Sequence, residues 1–115
     1  MIQGTCGENL KWTLNDEGTL TIGGTGEMED YSHVRGAEHY PEWYDERDSI
    51  KKIIIHDGIT KIGTTAFSDC KSLKSIKLPD SLTAIDEYAF CSCESLTEIT
   101  IPAGVTKIFR DAFSK

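Results

Sequence analysis

Apolar residues in the second half of the chain recur with a period of 23 positions. Ile59 falls on Leu82 and Val105, and Ile62 on Ile85 and Ile108. Ala66-Phe67 falls on Ala89-Phe90 and Ala112-Phe113, and Cys70 on Cys93. Leu73, Ile76, Leu78 and Pro79 fall on Leu96, Ile99, Ile101 and Pro102. One period earlier stand Ile50, Ile53 and Ile55, so an incomplete first unit begins near Ser49. The polar positions between them vary freely. What repeats is therefore a buried face, and a fixed period of this length signals a stacked-repeat architecture.

Each unit reads as a short series of steps. Leu73-x-x-Ile76-x-Leu78 ends in the alternation of a strand with one buried face. Pro79 lacks a backbone donor and ends that strand. Leu82-x-x-Ile85 is a second, short apolar step. Asp86-Glu87-Tyr88-Ala89-Phe90 suits one helical turn with Asp86 as its cap. One unit cannot bury its apolar row alone. Stacking units through a parallel sheet, with strands about 4.8 Å apart, places Leu on Leu and Phe on Phe.

The front of the chain has a different pattern. Leu10-Lys11-Trp12-Thr13-Leu14 alternates, Asn15-Asp16-Glu17-Gly18 supplies turn chemistry, and Thr19-Leu20-Thr21-Ile22 alternates again. This predicts a hairpin that caps the otherwise open end of the stack. Residues 27–48 are irregular and interleave Met28, Tyr31, Tyr40, Trp43 and Tyr44 with eight acids. Pro41-Glu42-Trp43-Tyr44-Asp45-Glu46-Arg47 predicts a short helix with proline in its first turn and acids early. Trp43 and Tyr44 are expected to seal the end of the core. The alternative is an aromatic and acidic recognition patch, built from Tyr31, Tyr40, Trp43 and Tyr44, for a partner or a sugar.

The string Ile62-Gly63-x-x-Ala66-Phe67-x-x-Cys70-x-x-Leu73-x-x-Ile76-x-Leu78-Pro79 resembles the BspA-like leucine-rich repeats of bacterial surface proteins. The resemblance covers residues 49–115. It extends to Gly4-Thr5-Cys6-Gly7-x-x-Leu10-x-Trp12-x-Leu14 and Gly18-Thr19-Leu20-Thr21-Ile22, which look like the segment preceding such repeats. It implies a β-rich α/β fold: a right-handed leucine-rich-repeat solenoid of 23-residue units with a parallel sheet and an N-terminal β-hairpin cap. Residues 1–48 would be the capping segment and 49–115 the repeats, in one continuous structural domain. It further implies a secreted or surface-anchored protein engaged in adhesion or protein–protein contact, with a protein or host-surface ligand. One departure stands out. The position after the strand that usually holds Asn or Cys is Ser81 and Gly104 here. The buried polar ladder must be built differently, with Cys70 and Cys93 as candidates.

Composition narrows the function. With 38% hydrophobic and 27% charged residues, the 115-residue chain fits a globular domain. No apolar run is long enough to span a membrane. Met1-Ile2-Gln3-Gly4 has neither the basic start nor the apolar stretch of a secretory signal, so the chain is either cytosolic or begins after a removed signal. The net charge of -7 is concentrated in residues 27–48, where eight acids face only Arg35 and Arg47. A nucleic-acid interface needs clustered Lys and Arg, and no run of them is present, so no nucleic-acid partner is expected.

Catalytic chemistry finds little support. Gly24-Thr25-Gly26 lacks the third glycine of a dinucleotide loop. His33, His39 and His56 match no common zinc spacing, and Glu27, Glu29 and Asp30 lack the spacing of a calcium loop. No cofactor or metal is expected, and an enzyme using His33 or His39 with nearby carboxylates is the weakest reading. Cys91-x-Cys93 suggests redox or metal chemistry, but Cys93 is the repeat counterpart of Cys70 and packing explains it. Both side chains should point inward side by side, a poor approach for a disulfide, so free thiols are expected. The outward strand positions Lys52, Ile54, Ser75, Lys77, Glu98 and Thr100 are the candidate ligand contacts. An alternative role is purely structural, as the cap and spacer of a longer array. The last unit stops at Phe113-Ser114-Lys115, which leaves Val105, Ile108 and Phe113 uncovered and favours self-association at that end.

Overall fold

A computed structural model describes residues 2–114, so Met1 of the leader reading and Lys115 of the incomplete last unit lie outside it. Nine short strands and one 3-10 helix follow in order. They are β1 (Ile2–Gly7), β2 (Leu10–Leu14), β3 (Thr19–Gly24), β4 (Gly26–Glu27), the helix (Tyr44–Ser49), β5 (Lys52–Ile55), β6 (Ile59–Ile62), β7 (Ser75–Lys77), β8 (Ala84–Ile85) and β9 (Lys107–Ile108). They form two sheets, β1-β2-β3-β5-β7 and β4-β6-β8-β9. The chain is a leucine-rich-repeat solenoid whose coils pair β3 with β4, β5 with β6 and β7 with β8 across the two sheets and close through a series of turns, while the last coil adds only β9 to the second sheet.

The expected hairpin forms. Strands β2 and β3 pair antiparallel, with Trp12 opposite Ile22 and Leu14 opposite Leu20. The first sheet also carries β1, antiparallel to β2, which the alternation of residues 2–7 does not announce because Gly4 and Gly7 interrupt it. The cap is not a separate lid. Strand β3 pairs in parallel with β5, Leu20 on Ile53 and Ile22 on Ile55, and β5 pairs with β7, Ile53 on Ile76. The inner row therefore runs from cap to repeat without a break.

The short step at Ile59–Ile62 and Leu82–Ile85 proves to be a second parallel sheet. Ile62 sits beside Ile85, and Ile85 beside Ile108. Strands of two to four residues hold because every coil stacks on the next. Burying one branched side chain contributes roughly 1.5–3 kcal/mol, and Ile53, Ile55, Ile59, Ile62, Leu73, Leu82 and Ile85 are all buried.

Two predicted helical segments change form. Residues 86–90 make successive turns rather than a helical turn, because left-handed residues recur in the coils, Thr65 (φ 56°), Tyr88 (57°) and Asp111 (56°) at one repeat position and Asp69 (66°) and Ser92 (62°) at another, and stop any right-handed run. These turns send backbone bonds to the next coil instead: Thr65 N to Glu87 O (2.9 Å), Phe67 N to Ala89 O (2.8 Å) and Phe90 N to Ala112 O (2.7 Å). With no helical turn to cap, Asp86 Oδ1 instead accepts from the adjacent Glu87 N at 2.8 Å within the turn. The helix expected at Pro41–Arg47 is a 3-10 helix shifted to Tyr44–Ser49, with Tyr44 N bonded to Pro41 O at 2.9 Å. The shift releases Trp43 from the helix and lets its ring enter the core.

The polar ladder uses both Ser81 and Cys93. Ser81 Oγ accepts from Gly58 N (2.9 Å) and donates to Ile59 O (2.8 Å), and Cys93 Sγ donates to Phe67 O at 3.1 Å. The four cysteines are free thiols. A hydrogen bond with Cys93, together with burial, pushes the Cys70 thiol far above its ordinary value, which keeps it protonated and unreactive.

Gly63 is required by close packing. It lies buried under the loop of the cap, and a Cβ there would collide with the carbonyl of Glu29. Lys61 fastens the same loop, its ammonium 2.9 Å from Asp30 Oδ1 and 3.7 Å from Asp86 Oδ2. Burial alone would raise the Asp30 carboxyl. Hydrogen bonds from Thr64 N and the Lys61 ammonium hold it below its usual range.

Candidate binding surface

The outer side of the first sheet is set by alternation. Leu10, Trp12, Leu14, Leu20, Ile22, Ile53 and Ile55 point inward and are buried, so their neighbours must face out. Register then arranges the outward residues in three cross-strand rows. Gln3, Thr13, Thr21, Ile54 and Lys77 form the central row. Thr19, Lys52 and Ser75 lie on one side of it, and Thr5, Lys11 and Gly23 on the other. His56 extends the last row, its N–H bonded to Ile22 O and its ring beside Gly23.

These rows contain no carboxylate. Lysines scattered in sequence as Lys11, Lys52 and Lys77 meet on one face of a chain whose net charge is -7. The linear reading found no basic cluster because the strands that bring these residues together are far apart in sequence. At the C-terminal ends of β5 and β7 lies a groove of about 530 Å³. Ile54, Leu78 and Pro79 give it apolar surface, and His56, Lys77, Asp57 and Asp80 line it as well.

Lys52, Ile54, Ser75 and Lys77 thus share one surface. Glu98 and Thr100 do not join it as strand residues. Residues 96–101 form no ladder, because Leu96, Ile99 and Ile101 are only partly buried and too little apolar contact holds them against β7.

The aromatic patch divides. Tyr31 and Trp43 are 4% and 1% exposed, so neither can touch a partner directly. The Trp43 ring stacks on Phe67 at 5.6 Å, meets Trp12 edge-on at 5.6 Å, and donates from Nε1 to Ala66 O at 3.0 Å. Burial, reinforced by the nearby Cys6, Glu29 and Glu42, pushes the Tyr31 hydroxyl above its ordinary value. Tyr40 and Tyr44 remain reachable, stacked with ring centroids 4.6 Å apart. The Arg47 guanidinium lies 4.1 Å above the Tyr44 ring. Among the described residues no three metal-ligating side chains come together, and no helix is long and apolar enough to cross a membrane.

Comparison with known proteins agrees with this architecture. The chain is similar to a leucine-rich repeat protein from Eubacterium ventriosum, with a TM-score of 0.80 and 32% identity over 93% of this chain and 27% of that one. It is similar to a leucine-rich repeat protein from Bacteroides capillosus, at 31% identity over 88% of this chain and 83% of that one, with a TM-score of 0.56. It also resembles the Leucine Rich Repeat protein of T. pallidum, at 25% identity over 95% of this chain and 55% of that one, with a TM-score of 0.60. The chain spans about a quarter of the first of these. No curated protein matches it. The model of the BspA type leucine rich repeat region (6 copies) matches residues 40–115. With its period, its stacked coils and this match in agreement, the chain belongs to the BspA-type leucine-rich-repeat family.

Proposed function

We propose that the chain is a non-enzymatic protein-binding module of a secreted or cell-surface bacterial protein, and that the outer face of its first sheet contacts an acidic segment of the partner. The observation that carries this is the set of cross-strand rows that bear Lys11, Lys52 and Lys77 and no carboxylate on an acidic chain. Charge of one sign kept on one face attracts a partner of the other sign. The half-buried Ile54 at the centre offers the apolar contact that such a surface needs. The family resemblance supports an adhesive role and a surface address.

A second reading, cap and spacer of a longer array, is favoured by the far end of the stack. Ile108, Phe109 and Phe113 are 50%, 42% and 40% exposed there. A further coil or a second copy would cover them.

The first reading is tested with a polyglutamate peptide and the double substitution Lys52→Glu, Lys77→Glu. Both side chains are exposed, so the fold should survive. Binding to the native chain should weaken with salt, and the double variant should lose at least about tenfold in affinity. Equal binding by native chain and variant would refute the sheet face as the contact.

A further inference from the structure

The last coil lacks the polar outer surface that closes a repeat stack against water. In the coil before it Leu73, Leu82, Ile85 and Phe90 are at most 2% exposed. Their counterparts one period on are Leu96, Val105, Ile108 and Phe113, all of them still apolar. Leu96 and Val105 are only partly buried, and Ile108 and Phe113 are exposed. The Phe113 ring lies parallel to Phe90, so its other face points out of the stack. Two sheet edges end here as well. One is β9 in the second sheet. The other lies beyond β7 in the first, where Glu98-Ile99-Thr100 keeps the alternation of a strand but forms no ladder. Apolar surface joined to unpaired strand edges is a surface prepared for association.

The cap end offers nothing equivalent. Trp12, Tyr31 and Trp43 are buried and close the aromatic column there. The cap loop occupies the outer edge of β1, with Thr5 N donating to Glu42 Oε1 at 2.9 Å and Glu29 N to Cys6 O at 2.8 Å. An open end docking on a cap end would propagate into a filament, whereas two open ends meeting about a two-fold axis close as a dimer. With the cap end sealed, the second arrangement is the one that covers the apolar surface. Charge permits it. Residues 94–115 hold three acids, Glu94, Glu98 and Asp111, and three bases, Lys107, Arg110 and Lys115, so the chain's net charge of -7 arises elsewhere. Two such ends meet without local repulsion.

We propose that the open end docks on the open end of a second copy of this chain. The two Phe113 rings then continue one aromatic column through both molecules, and residues 98–100 and β9 run antiparallel beside their counterparts. The proposal rests on the same open end that favours the spacer reading and commits its cover to a second copy. It is independent of the lysine-bearing face.

The test is sedimentation equilibrium of the native chain over a concentration series. Monomer and dimer should exchange with a Kd of about 1–100 μM, the strength of a small apolar contact. Salt should tighten the dimer, because it screens the repulsion between two molecules of net charge -7. Amide exchange at residues 98–100 should slow as the dimer fills. Phe113→Ser should weaken association at least about tenfold. If that variant does not fold, Ile108→Ser should show the same loss. Species larger than a dimer, association weakened by salt, or undiminished association in a folded variant overturns the inference. So does a chain that stays monomeric throughout, and adding one further coil then separates the two readings. A higher denaturation midpoint in the lengthened chain would leave the spacer reading standing, and an unchanged midpoint would remove both.

Discussion

The two ends of the solenoid present the same aromatic column in different surroundings. At the cap end Trp43 lies on Phe67, and Tyr31 and Trp12 close around it from the side at 5.9 and 5.6 Å. Trp12 is fixed in turn, since Glu42 Oε1 accepts from its Nε1 at 2.8 Å and from Thr5 N at 2.9 Å. At the far end Phe113 lies on Phe90 with nearly parallel rings 5.2 Å apart, yet 40% of it is exposed. Ring stacking alone therefore does not bury a residue. Burial at the cap end comes from elements that cross over the column, and these are the cap hairpin and the aromatic loop. This explains why strands persist beside the cap while residues 96–101 make no ladder.

The largest effect that would break this contrast is at the covered end. Trp43→Ala should destabilise the chain by about 3–5 kcal/mol, the range for removing a buried large aromatic, read as a fall in denaturation midpoint. A loss under about 1 kcal/mol would mean that the cap does not hold the column.

The next effect is a pH dependence to which the cap contributes. Burial, aided by the charges of Glu29 and Glu42, pushes the Cys6 thiol up to about 12. The unfolded chain releases that proton near an ordinary thiol value of about 8.5. The folded state thus binds more protons than the unfolded state above this pH. Stability is full below about pH 8.5 and is lost as pH rises towards 12. Thermal melts between pH 7 and 10 should show this decline, and Cys6→Ala should make it shallower. An identical slope in the variant would assign the alkaline loss elsewhere, to Cys70 and Tyr31, whose protons are displaced in the same direction.

The smallest effect is at the open end. Phe113→Ser should cost less than about 1 kcal/mol, since the ring is already partly hydrated. If copies of the chain meet through this end, light scattering should show a shift towards monomer in the variant. A loss as large as that of Trp43→Ala would make the two ends equivalent and remove the comparison.

Much of this was legible along the chain. The 23-residue period predicted the coils, the column through Phe67, Phe90 and Phe113, and the outward side chains of β5 and β7, because burial on one side of a strand leaves an alternation that any register preserves. The hairpin at residues 10–24 was equally readable from its turn chemistry. Other features carried no local mark. The second sheet came from steps too short to distinguish from loop. The left-handed turns fall on Thr, Tyr and Asp, where composition gives no warning. Trp43, not its repeat-aligned neighbour Tyr44, heads the aromatic column, because the 3-10 helix begins one residue after it.

What the sequence by itself determined is the repeat, the inward face of each strand and the need for a cap, since these follow from which side chains avoid water. The tertiary structure alone decided which distant residues share a surface. It gathered Lys11, Lys52 and Lys77 on one face and laid Trp43 of the cap on Phe67 of the first full coil. Such groupings depend on the register between coils, which is set by packing across the whole stack and is written in no single segment.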